Sequence, residues 1–173
     1  MESQPDSGAV REDLVDRIQA AWRRERPDVD PSPQAVIGRL HRLARTLTDE
    51  LTVVYARFDL SEAEFDLLAS LRRNGAPFEL PAGELASHTM VTSGGLTKRV
   101  DRLVARGLVE RSEASDDARR RLVRLTADGV ALIDAAFTAH MANEHRLMDQ
   151  LGDTDAAALE PLLRRWLVVL GTD

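Results

Sequence analysis

The chain has no cysteine, a single lysine (Lys98) among 23 cationic side chains, and only 4% aromatic residues. Without cysteine there is no disulfide framework, no thiolate zinc site and no cysteine nucleophile. No apolar run approaches the 18 residues that a membrane span requires. The opening MESQPDSGAV lacks the basic and apolar regions of a signal peptide. The expectation is a cytoplasmic protein with no membrane contact. No Gly-rich phosphate loop, nucleophile elbow or HExxH run is present, so no catalytic residue is expected. Of the four histidines, His41, His88, His140 and His145, the last two are about 140° apart on a helix and share no face. No metal site and no cofactor are expected.

The chain's 173 residues suit one domain, or one domain with appended helices. Residues 1–10 are small and polar and read as a disordered tail. From Arg11 to Arg26, Leu14, Val15, Ile18, Ala21 and Trp22 fall at helical spacing, and Pro27–Pro33 reads as a connector. A long amphipathic helix is expected from Pro33 to Arg57. Ser61 and Glu64 form a capping box opening a helix over 62–73, which Asn74-Gly75 ends. Pro81 is expected to start a short helix to Ser87, and Thr92 or Ser93 to cap another running to Arg106. Leu108–Arg111 and Leu122–Leu125 read as two strands around a polar loop. Thr126 caps a helix to Leu151, and after Gly152–Thr154 a last helix runs to Leu170.

Short helices, a turn, a further helix and a ribbon make a winged helix-turn-helix. A helix of this length fits the major groove, and a ribbon tip reaches the adjacent minor groove. In the Thr92–Arg106 helix, Leu96, Val100, Leu103 and Val104 form the inner stripe, while Gly94, Gly95, Lys98, Asp101 and Arg102 face out. Outward glycines in a helix favour close approach of backbone to a DNA strand. Residues 92–124 carry a net charge of +4, the rest of the chain −10. A basic patch on an acidic body is the footprint of a DNA binder. A helical interaction module without DNA binding is the alternative, but it leaves that asymmetry unexplained.

These residues bring a resemblance into view. Asp117-Ala118-Arg119, then Val123-Arg124-Leu125-Thr126-Ala127-Asp128-Gly129, with Lys98-Arg99-Val100-Asp101-Arg102-Leu103 and Arg106-Gly107-Leu108-Val109, are similar to the MarR family of bacterial regulators over about residues 33–170. The resemblance implies a mainly α fold with helical dimerisation regions at residues 11–60 and 126–173 around a winged helix-turn-helix at 61–125. It implies a homodimer on a pseudo-palindromic double-stranded operator with half-sites about 10 bp apart. The DNA-facing residues are then Thr92, Ser93, Thr97, Lys98 and Arg102, with Arg119 or Arg120 in the minor groove and Asp117 orienting the wing tip.

The extra N-terminal helix with Trp22 also resembles a urate-responsive branch of the HucR, PecS and TamR type. There a Trp, an Asp after an aromatic residue, and two Arg form a ligand site, matched here by Trp22, Asp66, Arg99 and Arg111. Periodicity alone reads Trp22 as core and Asp66 as a solvated carboxylate. It leaves Arg99 as an ion pair or phosphate contact, and Arg111 as another phosphate contact. The resemblance gives the four a joint role. Two forked guanidiniums suit a planar anion, and Trp offers a flat wall. Urate or xanthine is the first expectation and a tricarboxylate such as trans-aconitate the alternative. A ligand that pulls Arg99 and displaces Asp66 would shift the recognition helix and derepress, with a reciprocal coupling of about 1–3 kcal/mol.

Overall fold

A computed structural model describes residues 11–85, 95–113 and 121–171, the side chains of Ser112, Glu113 and Arg121 excepted. The expected tail, as well as Thr92, Ser93, His88, Asp117, Arg119 and Arg120, lies outside the described residues. The chain divides into two compact units, one through Glu50 and the other from Leu51 onward.

In the first unit, α1 spans Leu14–Glu25 and α2 begins at Gln34, running Gln34–Ala56 and so crossing the division. Helix α1 starts where Asp13 accepts from the Val15 and Asp16 amides and Asp16 accepts in return from the Asp13 amide. Such reciprocal capping satisfies amides that have no intrahelical partner. Arg39 on α2 then donates to both carboxylates, at 2.8 Å and 2.7 Å. Its guanidinium is the leading cause that holds both carboxyls below their ordinary range. Val15 packs against Gly38, where an added Cβ would lie 3.4 Å from its side chain. Gln19 is buried and ties α1 to the connector by donating to the Pro31 and Ser32 carbonyls.

The α1 stripe expected to be core is only partly so. Val15 and Gln19 are buried, while Leu14 and Ile18 are exposed and Trp22 is 49% exposed. The contact with α2 is centred on the Val15–Gln19 line, one residue around the helix from the Leu14–Ile18–Trp22 line.

In the second unit, α3 spans Glu62–Arg73 behind the expected capping box: the Ser61 amide donates to Glu64 at 2.9 Å, and the Glu64 amide to the Ser61 hydroxyl at 3.3 Å. Leu67, Leu68 and Leu71 are fully buried with Leu85, Leu103 and Val123. Each such side chain contributes about 1.5–3 kcal/mol by leaving water. The segment after α3 corrects the sequence reading. Pro81 does not start a helix but ends a strand, β1, Glu79–Pro81, and α4 follows as Ala82–Leu85. The ribbon is therefore part of a three-stranded antiparallel sheet of order β1-β3-β2, with β2 at Val109–Glu113 and β3 at Arg121–Leu125. Leu80 pairs with Val123, and Arg111 also lies opposite Val123. Proline is tolerated because β1 is an edge strand.

The helix α5, Leu96–Ala105, begins later than Thr92. Its N-cap is Gly95, at φ 80°, and no side chain caps it. Gly95 is thus not an outward-facing helical residue; it holds a left-handed conformation that costs glycine little. From Gly107 the chain enters β2, and β3 leads through Thr126 into α6, Ala127–Leu151. This junction is tightly built. The Thr126 hydroxyl donates to the Gly107 carbonyl at 2.7 Å and accepts from the Gly129 amide at 3.0 Å. The Thr126 amide donates to the Leu108 carbonyl at 3.1 Å. Gly129 lies so near that an added Cβ would stand 1.9 Å from the Leu108 carbonyl oxygen. The last helix, α7, spans Asp153–Leu170. Phe137, Leu162, Trp166, Leu167 and Val169 on α6 and α7 are exposed.

Candidate nucleic-acid interface and ligand-binding residues

Helix α5 presents two faces. Val100 and Leu103 are buried and Leu96 half-buried; Thr97, Lys98, Asp101 and Arg102 are exposed. Val104, expected inside, is 37% exposed, because the inner stripe is narrower than the apolar pattern suggests. Thr97, Lys98 and Arg102 therefore share the solvent side of α5, as a groove-facing set requires. Arg99 is half-buried at the border of the two faces.

Several cations counted in the basic patch are held by carboxylates or carbonyls. Arg102 Nε stands 3.2 Å from Glu64 Oε1, while its own side chain remains 58% exposed. Glu64 is buried, and among the described residues that oxygen has no directed hydrogen bond, so the contact is ionic. Burial alone would raise the Glu64 carboxyl. The Ser61 hydroxyl and amide outweigh it, helped by the charges of Arg102 and Arg106, and hold the carboxyl below its ordinary range. Arg106 donates to the Asp59 carbonyl at 2.6 Å and the Phe58 carbonyl at 3.4 Å, and pairs with the Asp59 carboxylate. It clamps the turn between α2 and α3, where Asp59 has φ 52°. Arg124 pairs with Glu110 opposite it across the β2–β3 ladder. The positive field that DNA would meet thus comes from fewer side chains than the formal count implies.

Asp66 is buried on α3, not solvated as periodicity suggests. Its carboxylate lies 3.8 Å from Arg73 Nη1. Arg111, on β2, pairs at 2.7 Å with Asp101 of α5. Asp66 thus lies beside Arg73 and Arg111 beside Asp101, while Arg99 is carried on α5. Trp22 belongs to the first unit, where with Val29, Pro31, Pro33 and Gln34 it lines a cleft of about 290 Å³. Sequence reading missed Asp101 and Glu64 as anchors of the recognition helix. The one available signal was an acidic residue on the exposed face of an otherwise basic helix.

A further cluster joins α2, α3 and α6 within the second unit. Tyr55 stacks on Phe65 with centroids 4.2 Å apart, and its hydroxyl meets His140 Nδ1 at 3.1 Å. Burial pushes the Tyr55 hydroxyl up to about 12, with nearby carboxylates adding. Among the described residues, no group of three His, Cys, Asp or Glu side chains is placed to hold a metal, and no helix is long and apolar enough to cross a membrane.

Comparison with known proteins places this geometry in a lineage. A family model described as MarR family matches residues 58–121, which contain α3, the sheet's first two strands and α5. The HTH-type transcriptional regulator PecS of Dickeya dadantii is 36% identical over 151 residues, covering 87% of this chain and 91% of that protein. The multiple antibiotic resistance protein MarR of Escherichia coli is 32% identical over 76% of this chain and 90% of its own length. A crystal structure of a MarR variant from E. coli complexed with operator DNA superposes with a TM-score of 0.66 and 28% identity, over 90% of this chain and 99% of that one.

Proposed function

Since the chain belongs to the MarR family of transcriptional regulators, we propose that it is a homodimeric repressor that binds a pseudo-palindromic operator and is released by a small anionic ligand. The observation that carries the DNA reading is the exposed Thr97, Lys98 and Arg102 side of α5, held on a packed winged scaffold. Thr92, Ser93, Arg119 and Arg120 complete the proposed contact set. Phosphate contacts from such residues fix register, and base-edge contacts select sequence.

The proposed dimerisation regions are residues 11–60 and 126–173, on either side of a DNA-binding domain at 61–125. Their support is the apolar surface of α6 and α7, where Val169 is 76% and Leu162 52% exposed. Isolated exposed apolar residues are ordinary, but several on consecutive helices mark an interaction surface.

The ligand reading rests on Asp66, Arg99 and Arg111, with Trp22 assigned by resemblance. The burial of Asp66 supports it, because a carboxylate kept from water is sensitive to an arriving anion. Urate or xanthine is the first ligand class, with trans-aconitate as the tricarboxylate alternative. A gel shift on the intergenic DNA beside this protein's own gene tests all of this, titrating urate, xanthine and trans-aconitate. Binding relieved by one of them is expected. Binding insensitive to all three removes the ligand assignment but keeps the regulator.

A further inference from the structure

Neighbouring residues of the recognition helix are anchored to different parts of the winged domain. Arg102 reaches Glu64 on α3, and Asp101 reaches Arg111 on β2. Side chains one residue apart on a helix diverge by about 100°, so the two anchors hold α5 from two directions. They differ in how firmly. The Glu64 side chain is 2% exposed and is also bound by the Ser61 hydroxyl and amide. The Asp101–Arg111 pair is open to water, its side chains 55% and 36% exposed. A buried, hydrogen-bonded carboxylate is costly to separate from its partner, whereas an exposed pair is readily exchanged.

We propose that Asp101 is the resident competitor of the effector: its carboxylate occupies the Arg111 guanidinium in the DNA-binding state, and the ligand takes its place. The proposal rests on the reading that Arg111 contacts the ligand. It adds the step by which occupancy reaches the DNA-binding helix. Once a ligand holds Arg111, Asp101 loses its anchor and α5 loses its ion-pair tie to β2, while Arg102–Glu64 and the buried Val100–Leu103 face remain as the pivot. Asp101 also sets specificity. A guanidinium already paired with a carboxylate at 2.7 Å yields to an acceptor of at least equal charge, preferably one offering two oxygens to its forked donors. Carboxylates and the exocyclic oxygens of a deprotonated oxopurine meet that condition and neutral amides and ketones do not, so the rule favours urate and trans-aconitate over neutral xanthine. Asp101 is thus a positioning and specificity-determining residue that need not touch the ligand.

The test is direct ligand binding to the full-length protein without DNA, by titration calorimetry with urate, xanthine and trans-aconitate separately. Asp101→Asn removes the competing charge, and the expected result is a two- to fivefold gain in affinity for whichever anion the wild type binds, roughly the range spanned by an exposed ion pair. Asp101→Glu keeps the charge and is expected to return affinity towards wild type. Asp134→Asn, which strips the partner of Arg72 instead, is expected to leave it unchanged. A ligand-free Tm of Asp101→Asn close to that of wild type separates this gain from one produced by a loosened fold. If the wild type binds one of these anions and Asp101→Asn binds it no more tightly, the competitor role is overturned and the ligand site stands. If the wild type binds none of the three, the ligand-site reading fails and the competitor role with it. Should Asp101→Asn not fold, wild-type-like affinity in Asp101→Ser overturns the proposal in the same way.

Discussion

Gly129→Ala is the most severe single-methyl change the structure identifies. The added Cβ would stand 1.9 Å from the Leu108 carbonyl oxygen, whereas ordinary contact begins at 3.4 Å. Relief therefore needs a displacement of about 1.5 Å between the first turn of α6 and the start of β2. The neighbours cannot give cheaply, because the obstacle is backbone. That same carbonyl accepts the Thr126 amide, and Thr126 also bridges Gly107 and Gly129. Overpacking of this kind costs about 1–3 kcal/mol, and each disrupted hydrogen bond roughly 1 kcal/mol more. A total of about 2–5 kcal/mol corresponds to a fall in Tm of roughly 5–15 °C for a chain of this size. Thermal denaturation followed by circular dichroism measures it. Gly83→Ala is the control, since among the described residues nothing beyond its own helix and chain neighbours lies within 4 Å of its added Cβ; in a helix it should be neutral or raise stability by up to about 1 kcal/mol. A Gly129→Ala protein that melts within 1 °C of wild type would refute the claim that this junction is rigid.

Lys98→Ala should weaken operator binding and lower the salt slope by about one per protomer, about two for a bound dimer, with Tm unchanged. Arg106→Ala should do the reverse, losing about 1–3 kcal/mol in urea denaturation with an unaltered salt slope, because its guanidinium is committed to the Phe58–Asp59 turn. Folding lowers the pKa of Glu64, so the stability it contributes is complete above the ordinary value of 4.5 and disappears as the pH falls through its lowered folded value. Glu64→Gln should therefore be less stable than wild type at neutral pH, and the gap should close in acid. If α7 forms the proposed dimer interface, Val169→Asp on its exposed face should shift wild-type dimer to monomer in sedimentation equilibrium.

Much of the winged domain is legible in local chemistry. The Ser61–Glu64 box and Asn74-Gly75 bracket α3, and Thr126 opens α6, because a cap is satisfied by residues a few positions away. Strand β1 is not legible in this way. Proline is accepted both at the first turn of a helix and at a sheet edge, and only pairing with β3, distant in sequence, selects the strand at Pro81. The start of α5 is misjudged for a related reason. Thr92 and Ser93 are good caps by composition, yet the left-handed Gly95 is where the helix begins.

The site divides along the same line. Exposure of Thr97, Lys98 and Arg102 follows from helical period once Val100 and Leu103 are placed inside. The burial of Asp66 and the pairing of Asp101 with Arg111 depend on which elements pack together; helical period misreads the first and is silent on the second. The apolar spacing of α1 is legible in the sequence, but periodicity does not say whether its own chain or a second copy covers that line. Trp22, read as core, is instead exposed.

The central claim is that α5 and the wing form an operator-binding surface. Its most direct test is the affinity of the purified protein for the intergenic DNA beside its gene, measured against salt concentration. The account predicts specific, saturable binding whose logarithm falls steeply and linearly with the logarithm of salt, as several phosphate contacts per dimer require. Absence of binding to that DNA and to unrelated duplex alike, even at low salt, would contradict it.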